Sequence, residues 1–171
     1  GTNAAPAGAG SGAGARAANG LSWVPQTQGA RDPHLRLLRR VGRVNPGDLD
    51  DYRAHGGYQA LRRALQIGPE QVIRELADAK LVGRGGAAFP AGRKAEAVAR
   101  SPIRPHYVVC NADESEPGTF KDRVLMEEDP FAIVEAMTIA GFAAGCEQGY
   151  VYIRGERSEE HTSELQSRFG I

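Results

Sequence analysis

Two short stretches hold residue types that could do chemistry. The first is Gly83-Arg84-Gly85-Gly86-Ala87-Ala88-Phe89-Pro90-Ala91-Gly92, and the second is Asn111-Ala112-Asp113-Glu114-Ser115-Glu116. Glycine permits positive φ and close backbone approach, so amides of the first stretch can converge on an anion such as a phosphate. A helix starting just afterwards adds its positive end, and Lys94, in the first turn of that helix, adds a full charge. A glycine-rich surface turn is the alternative. The run is not a dinucleotide fingerprint, which must follow a strand, because here the glycines follow a helical pattern. It also lacks the Gly-Lys-Ser/Thr ending of a P-loop. In the second stretch carboxylates repel phosphate, so Asp113, Glu114 and Glu116 suit hydroxyls, amides or ring N–H donors. Asn111 both donates and accepts, which suits a ring edge. A solvated turn and a divalent-metal loop remain open for these residues. Phe89, at the lip of the glycine run, either stacks on a flat heterocycle or anchors in the core.

The elements that must position these residues follow from periodicity. Tyr58–Gln66 places Tyr58, Leu61 and Leu65 at helical spacing. Gly68-Pro69 breaks the chain, with Pro69 suited to the first position of a helix over about 69–80, whose stripe is Val72, Ile73, Leu76 and Ala77. The glycine run leads into a helix, Arg93–Arg100. His106–Cys110 reads as a strand entering the acidic loop, Pro130–Gly145 as a helix apolar nearly all round and therefore buried, and Gly149–Arg154 as a second strand. Strand, polar loop, helix and strand in that order make a parallel βαβ unit, so the fold class is α/β. The acidic loop then falls at the C-terminal end of a strand, where open α/β sheets take their ligands.

Composition narrows the function further. The chain has 171 residues, about one domain's worth. Lys+Arg and Asp+Glu both number 21, so no global field favours nucleic acid or an anionic membrane. No apolar run reaches the length of a spanning helix. Two cysteines, Cys110 and Cys146, exclude a disulfide framework or a four-cysteine cluster within the chain, and both are expected to be inert in apolar surroundings. A reducing cytoplasm is the expected setting. Residues 1–20 hold eight alanines and six glycines, and 1–31 is read as a linker or tail. From Asp32 to Arg63 arginines are dense (Arg36, Arg39, Arg40, Arg43, Arg53, Arg62, Arg63) and are interrupted by Asp48, Asp50 and Asp51. A solvated, ion-paired face is expected there; no aromatic platform interleaves to favour nucleic acid. His34, His55 and His106 are expected to be ordinary surface or core residues.

Taken together, Gly83–Gly92 with Arg93-Lys94, the block Cys110–Arg123 (Cys-Asn-Ala-Asp-Glu-Ser-Glu-Pro-Gly-Thr-Phe-Lys-Asp-Arg) and Tyr152-Ile153-Arg154-Gly155-Glu156 resemble the NADH-binding flavoprotein subunit of respiratory complex I. The related NAD-dependent formate dehydrogenase and hydrogenase diaphorase subunits are similar. The resemblance covers about Asp50 to Glu156 and implies a Rossmann-like FMN/NADH-binding domain, present as its N-terminal part over 32–156. It implies FMN contacts from Gly83, Arg84, Gly85, Gly86, Lys94, Asn111, Asp113 and Glu114, with Phe89 and Glu116 facing NADH. The implied chemistry is hydride transfer from the nicotinamide C4 to the flavin N5, then single electrons to an iron–sulfur cluster, with no general base. Implied partners are NADH, a thioredoxin-like 2Fe-2S subunit and other iron–sulfur subunits, with no nucleic acid and no direct membrane insertion. Peripheral placement on the cytoplasmic side of the membrane follows from the same resemblance.

Three positions depart from the family pattern. Ala88 stands where the family has Gly, Ala91 where it has Thr, and Ala95 where it has an aromatic. The resemblance also places a second flavin loop and the four cysteines of a 4Fe-4S cluster beyond residue 156, so the 171-residue chain is expected to be inactive alone. Arg157–Ser167 resembles, codon for codon in one frame, the translation of a short-read sequencing adapter. Residues 157–171 are therefore expected to be read-through.

Overall fold

The computed structural model describes residues 36–84, 86–116, 118–119, 121–153 and 169–170. The expected linker over 1–31, His34, Gly85 and all of 157–171 except Phe169 and Gly170 lie outside the described residues. The elements in chain order are α1 (Leu49–Ala54), α2 (Gln59–Ile67), α3 (Pro69–Asp78), α4 (Ala91–Ala99), β1 (Tyr107–Ala112), α5 (Lys121–Glu128), α6 (Pro130–Ala144), β2 (Gln148–Ile153) and β3 (Phe169–Gly170).

β1 and β2 pair in parallel from Tyr107↔Gln148 to Ala112↔Ile153, and α6 is the crossover between them. This is the expected βαβ unit, so the α/β class holds. β3 adds an antiparallel pair of residues at the start of β2. Alternation along the strands is clean: Tyr107, Val109 and Asn111 are exposed with Tyr150 and Tyr152, while Val108, Cys110, Gly149 and Val151 turn the other way. That second face rests on α6; a Cβ at Gly149 would touch Met137 Cε at 3.5 Å. α6 also packs against α2, α3, α4 and α5, which makes it the common strut of the molecule. Ala64, Val72 and Ala143 form the buried centre between α2, α3 and α6, with Ile67, Ile73, Leu76 and Ile139 around it.

α6 is less buried than its sequence implies. Most of its side chains are half-buried; the buried ones are Glu135, Gly141, Ala143 and Ala144. Its one carboxylate organises the contacts. Glu135 accepts from the Tyr52 hydroxyl at 2.5 Å, the Tyr58 amide at 2.8 Å and the Leu61 amide at 3.0 Å. It therefore satisfies donors at the start of α2, including that of Tyr58, which sits at φ 59. Tyr52 is fully buried and lies over Gly57, where a Cβ would collide with its ring. The Arg40 guanidinium sits 4.9 Å from the centroid of the same ring and pairs with buried Asp129 at 2.9 Å.

The arginine-dense segment is thus only in part the solvated face expected of it. Arg53 with Asp50 and Arg63 with Glu75 are exposed pairs, whereas Arg40 turns inward to Asp129. The aspartates there are not mere interruptions. Asp48 caps α1 by accepting from Asp50 and Asp51 amides at 2.9 and 3.1 Å. Both cysteine thiols have raised pKa values, chiefly through burial, and both are free, in keeping with inert packing. His106 is a core residue whose Nδ1–H donates to the Ala144 carbonyl, 3.1 Å away, and His55 stays on the surface beside Asp51.

Candidate functional site

The glycine run leaves α3 and enters α4, and its neck is closed by backbone bonds. The Gly83 amide donates to the Phe89 carbonyl at 2.9 Å, the Ala91 amide to the Leu81 carbonyl at 2.8 Å, and Val82 bridges Pro90. Gly83 therefore shapes the loop through its own N–H. Gly86 has neither a positive φ nor any atom within 4 Å of a built Cβ, so nothing within the described residues requires glycine there. Ala88 shows the reverse: its φ is +45, a left-handed conformation in which glycine would be at ease.

Phe89 is not a core anchor. Its ring is 54% exposed, beside exposed Leu81 and Val82. α4 starts at Ala91 behind Pro90, two residues before the expected Arg93, because Pro90 takes the capping position. Lys94 therefore closes the first turn, with its amide on the Pro90 carbonyl at 3.1 Å. Its side chain is exposed and, like that of Arg84, makes no ion pair among the described residues. The Gly92 and Arg93 amides of the first turn have no partner among those residues either. Gly92 is held hard against α3: a Cβ there would lie 2.8 Å from Ala77 Cα. That close approach fixes where α4, and with it Lys94, can sit.

The acidic stretch divides. β1 runs on through Asn111 and Ala112, so Asn111 is a strand residue on the exposed face rather than a loop residue. Its Oδ1 accepts the Asp113 amide at 3.1 Å, and Asp113 in turn accepts from the Ser115 hydroxyl at 2.7 Å. Glu114 points inward at 2% exposure. Its carboxylate accepts the Asp122 amide at 2.6 Å and the Arg123 amide at 3.3 Å, serving the start of α5. Glu116 is exposed, and Thr119 closes the turn behind it onto its carbonyl. Of the expected site residues, then, Glu114 has a structural task in this chain, and Asn111, Asp113 and Glu116 are the ones turned toward solvent or half so. No group of three or more His, Cys, Asp or Glu gathers as a metal site among the described residues, and no described helix is long and apolar enough to cross a membrane.

The two loops hang from elements that share α6: α4 packs on its flank, β1 on its sheet side, and α5 beside it. This defines an open-sheet α/β domain with a glycine loop ahead of one helix and a polar loop at the carboxyl end of a parallel strand. Residues 76–168, over half of the chain, match the Nuo51 FMN-binding domain family, and the chain belongs to that family. It is 47% identical over 120 residues to a subunit of the NADH-quinone oxidoreductase of Aquifex aeolicus, covering 70% of this chain and 28% of that protein. It is 49% identical over 96 residues to the NAD-reducing hydrogenase HoxS subunit alpha of Cupriavidus necator, covering 56% of this chain and 16% of the relative. Among solved structures, a NAD+-reducing [NiFe]-hydrogenase in the air-oxidised state superposes with a TM-score of 0.56 at 31% identity, over 74% of this chain and 20% of that one. The chain spans less than a third of the length of these curated relatives.

Proposed function

We propose that this chain is the FMN-holding part of an oxidoreductase subunit that oxidises NADH and delivers the electrons to an iron–sulfur centre. The observation that carries the reading is that the family match contains both loops, while Gly86 has open space beside it and Arg84 and Lys94 make no ion pair among the described residues. These residues fit a flavin mononucleotide. Lys94, Arg84 and the free amides at the start of α4 would hold its phosphate, with Gly85 and Gly86 leaving room for backbone contact. Asn111 and Asp113 would meet the polar edge or the hydroxyls, and Glu114 would contribute by fixing the turn that carries them. Phe89 would stack on the nicotinamide nucleotide and Glu116 accept from its hydroxyls. When bound, FMN supplies the chemistry, accepting a hydride from NADH and releasing electrons singly. The chain's part is to orient the two nucleotides, and no proton-transfer residue is required of it. NADH, a 2Fe-2S subunit and further iron–sulfur subunits, in a peripheral cytoplasmic arm, are the partners this reading assigns.

A second reading, the diaphorase subunit of a NAD-reducing hydrogenase or formate dehydrogenase, rests on the 49% identity to the HoxS subunit. The genes adjoining the coding sequence separate the two, membrane quinone-reducing subunits marking one and hydrogenase subunits the other. The chemistry itself is tested by binding. Trace FMN titrated with an excess of the complete, flavin-stripped subunit should bind tighter than riboflavin, which lacks the phosphate. Lys94→Ala should cut FMN affinity about tenfold, the ~1.4 kcal/mol of a charge-assisted contact partly left in water, and leave riboflavin unchanged. Equal binding of FMN and riboflavin sinks the phosphate assignment.

A further inference from the structure

The strand register brings a side chain to the ligand end that neither loop motif contains. Asn111 on β1 pairs with Tyr152 on β2, so the two side chains leave the same sheet face next to each other, close to the carboxyl ends of parallel strands. Open α/β sheets take their ligands at that end. The tyrosines of this face are not equivalent. Tyr107 and Tyr150 lean together with ring centroids 5.9 Å apart, and the Tyr150 hydroxyl donates to Gln148 Oε1 at 2.8 Å. Tyr152 does neither. Its ring is 61% exposed, and among the described residues it has no aromatic neighbour and its hydroxyl no hydrogen-bond partner.

We propose that Tyr152 is a ligand-facing residue of the FMN site, its ring packed against the flat heterocycle whose polar edge Asn111 meets. This rests on the FMN reading given above. A phenol suits that place because it offers an apolar face for stacking and a hydroxyl that stays in water at the rim.

The experiment uses the complete subunit to which this chain belongs, stripped of its flavin and titrated in excess against trace FMN, with anisotropy reporting affinity and emission at saturation reporting the surroundings of the flavin. A phenol in contact quenches flavin emission by donating an electron to the excited ring, and a phenyl ring does not. Tyr152→Phe should bind FMN with unchanged affinity and saturate at brighter emission. Tyr152→Ala should lose roughly 5- to 150-fold in affinity, the range for removing an aromatic stacking partner. Tyr150→Phe, whose hydroxyl is committed to Gln148, should change neither reading. If Lys94→Ala weakens FMN while both Tyr152 variants match the parent, the Tyr152 proposal falls and the FMN reading stands. If the complete subunit takes up no FMN, both fall. A chain that dimerises through this face, with dimerisation weakened by Tyr152→Ala and indifferent to FMN, assigns the face to a second copy and overturns the proposal.

Discussion

Glu135→Ala removes a carboxylate shared by three donors, the Tyr52 hydroxyl and the Tyr58 and Leu61 amides. A hydrogen bond to a charged group is worth about 1.5–3 kcal/mol net, so a simple sum runs to about 4.5–9 kcal/mol. That sum is a ceiling, because the Tyr58 and Leu61 amides are part-buried and gain water once the carboxylate is gone. Fully buried Tyr52 gains none. The working figure is about 3–5 kcal/mol, the usual cost of breaking a buried charged contact from one side. Domains hold about 5–15 kcal/mol in total, and each kcal/mol moves Tm by about 2–8 °C. Melts followed by circular dichroism at neutral pH should therefore fall by about 6–40 °C. Glu135→Gln should fall by less, since its oxygen still accepts while its amide confronts a donor. Acid supplies a second reading. Burial alone would raise the Glu135 pKa, but the Tyr52 hydroxyl, the two amides and Arg40 outweigh it and hold it below the ordinary 4.5. A folded pKa below the unfolded one means that this stabilisation is whole above about 4.5 and drains as pH falls through the folded value. Glu135→Gln should lose that part of the acid dependence. An Ala variant that melts with the parent, or a Gln variant with an unchanged acid limb, refutes the reasoning.

Gly92→Ala sets two effects against each other. Helix propensity alone favours alanine by about 1 kcal/mol, but the new methyl would meet Ala77 backbone at 2.8 Å, and such overpacking costs about 1–3 kcal/mol. A net loss in chemical denaturation, accompanied by weaker FMN binding as α4 moves, is expected; a gain would show that α3 and α4 are not so tightly set. Ala88→Gly should stabilise the chain by about 1 kcal/mol or less, because relief of a left-handed alanine, worth about 1–2 kcal/mol, exceeds the added unfolded-state entropy. A lower denaturation midpoint for that variant would contradict the positive φ.

How much of this was legible in the sequence depended on whether a signal was local. The βαβ unit declared itself through β-branched strands on either side of an apolar helix, and the glycine loop through its letters. α5 did not, since Lys121–Glu128 mixes charge with Val124, Leu125 and Met126 in no clear stripe; it is held by Glu114 from seven or more positions upstream. α1 was hidden among arginines, where Asp48 reads as one more charge rather than a cap. Arg40 with Asp129 and Tyr52 with Glu135 are separated by 89 and 83 residues, and no local pattern links them. One clue was available: Glu135 is the single charge in Pro130–Ala144, and a lone carboxylate in an apolar helix implies waiting donors. Within the site, alternation along β1 could have told which way Asn111 faces, but the inward turn of Glu114 depends on where α5 begins.

The stapled neck of the glycine loop has a consequence for speed as well as strength. With the Gly83 amide already spent on the Phe89 carbonyl, the two ends of the glycine loop are tied together by the fold itself, and on the proposed reading that share of the ordering cost was met when the domain folded. A nucleotide that binds as proposed would meet a loop whose ends are already tied, so its arrival should be limited by collision and orientation rather than by bringing those ends together.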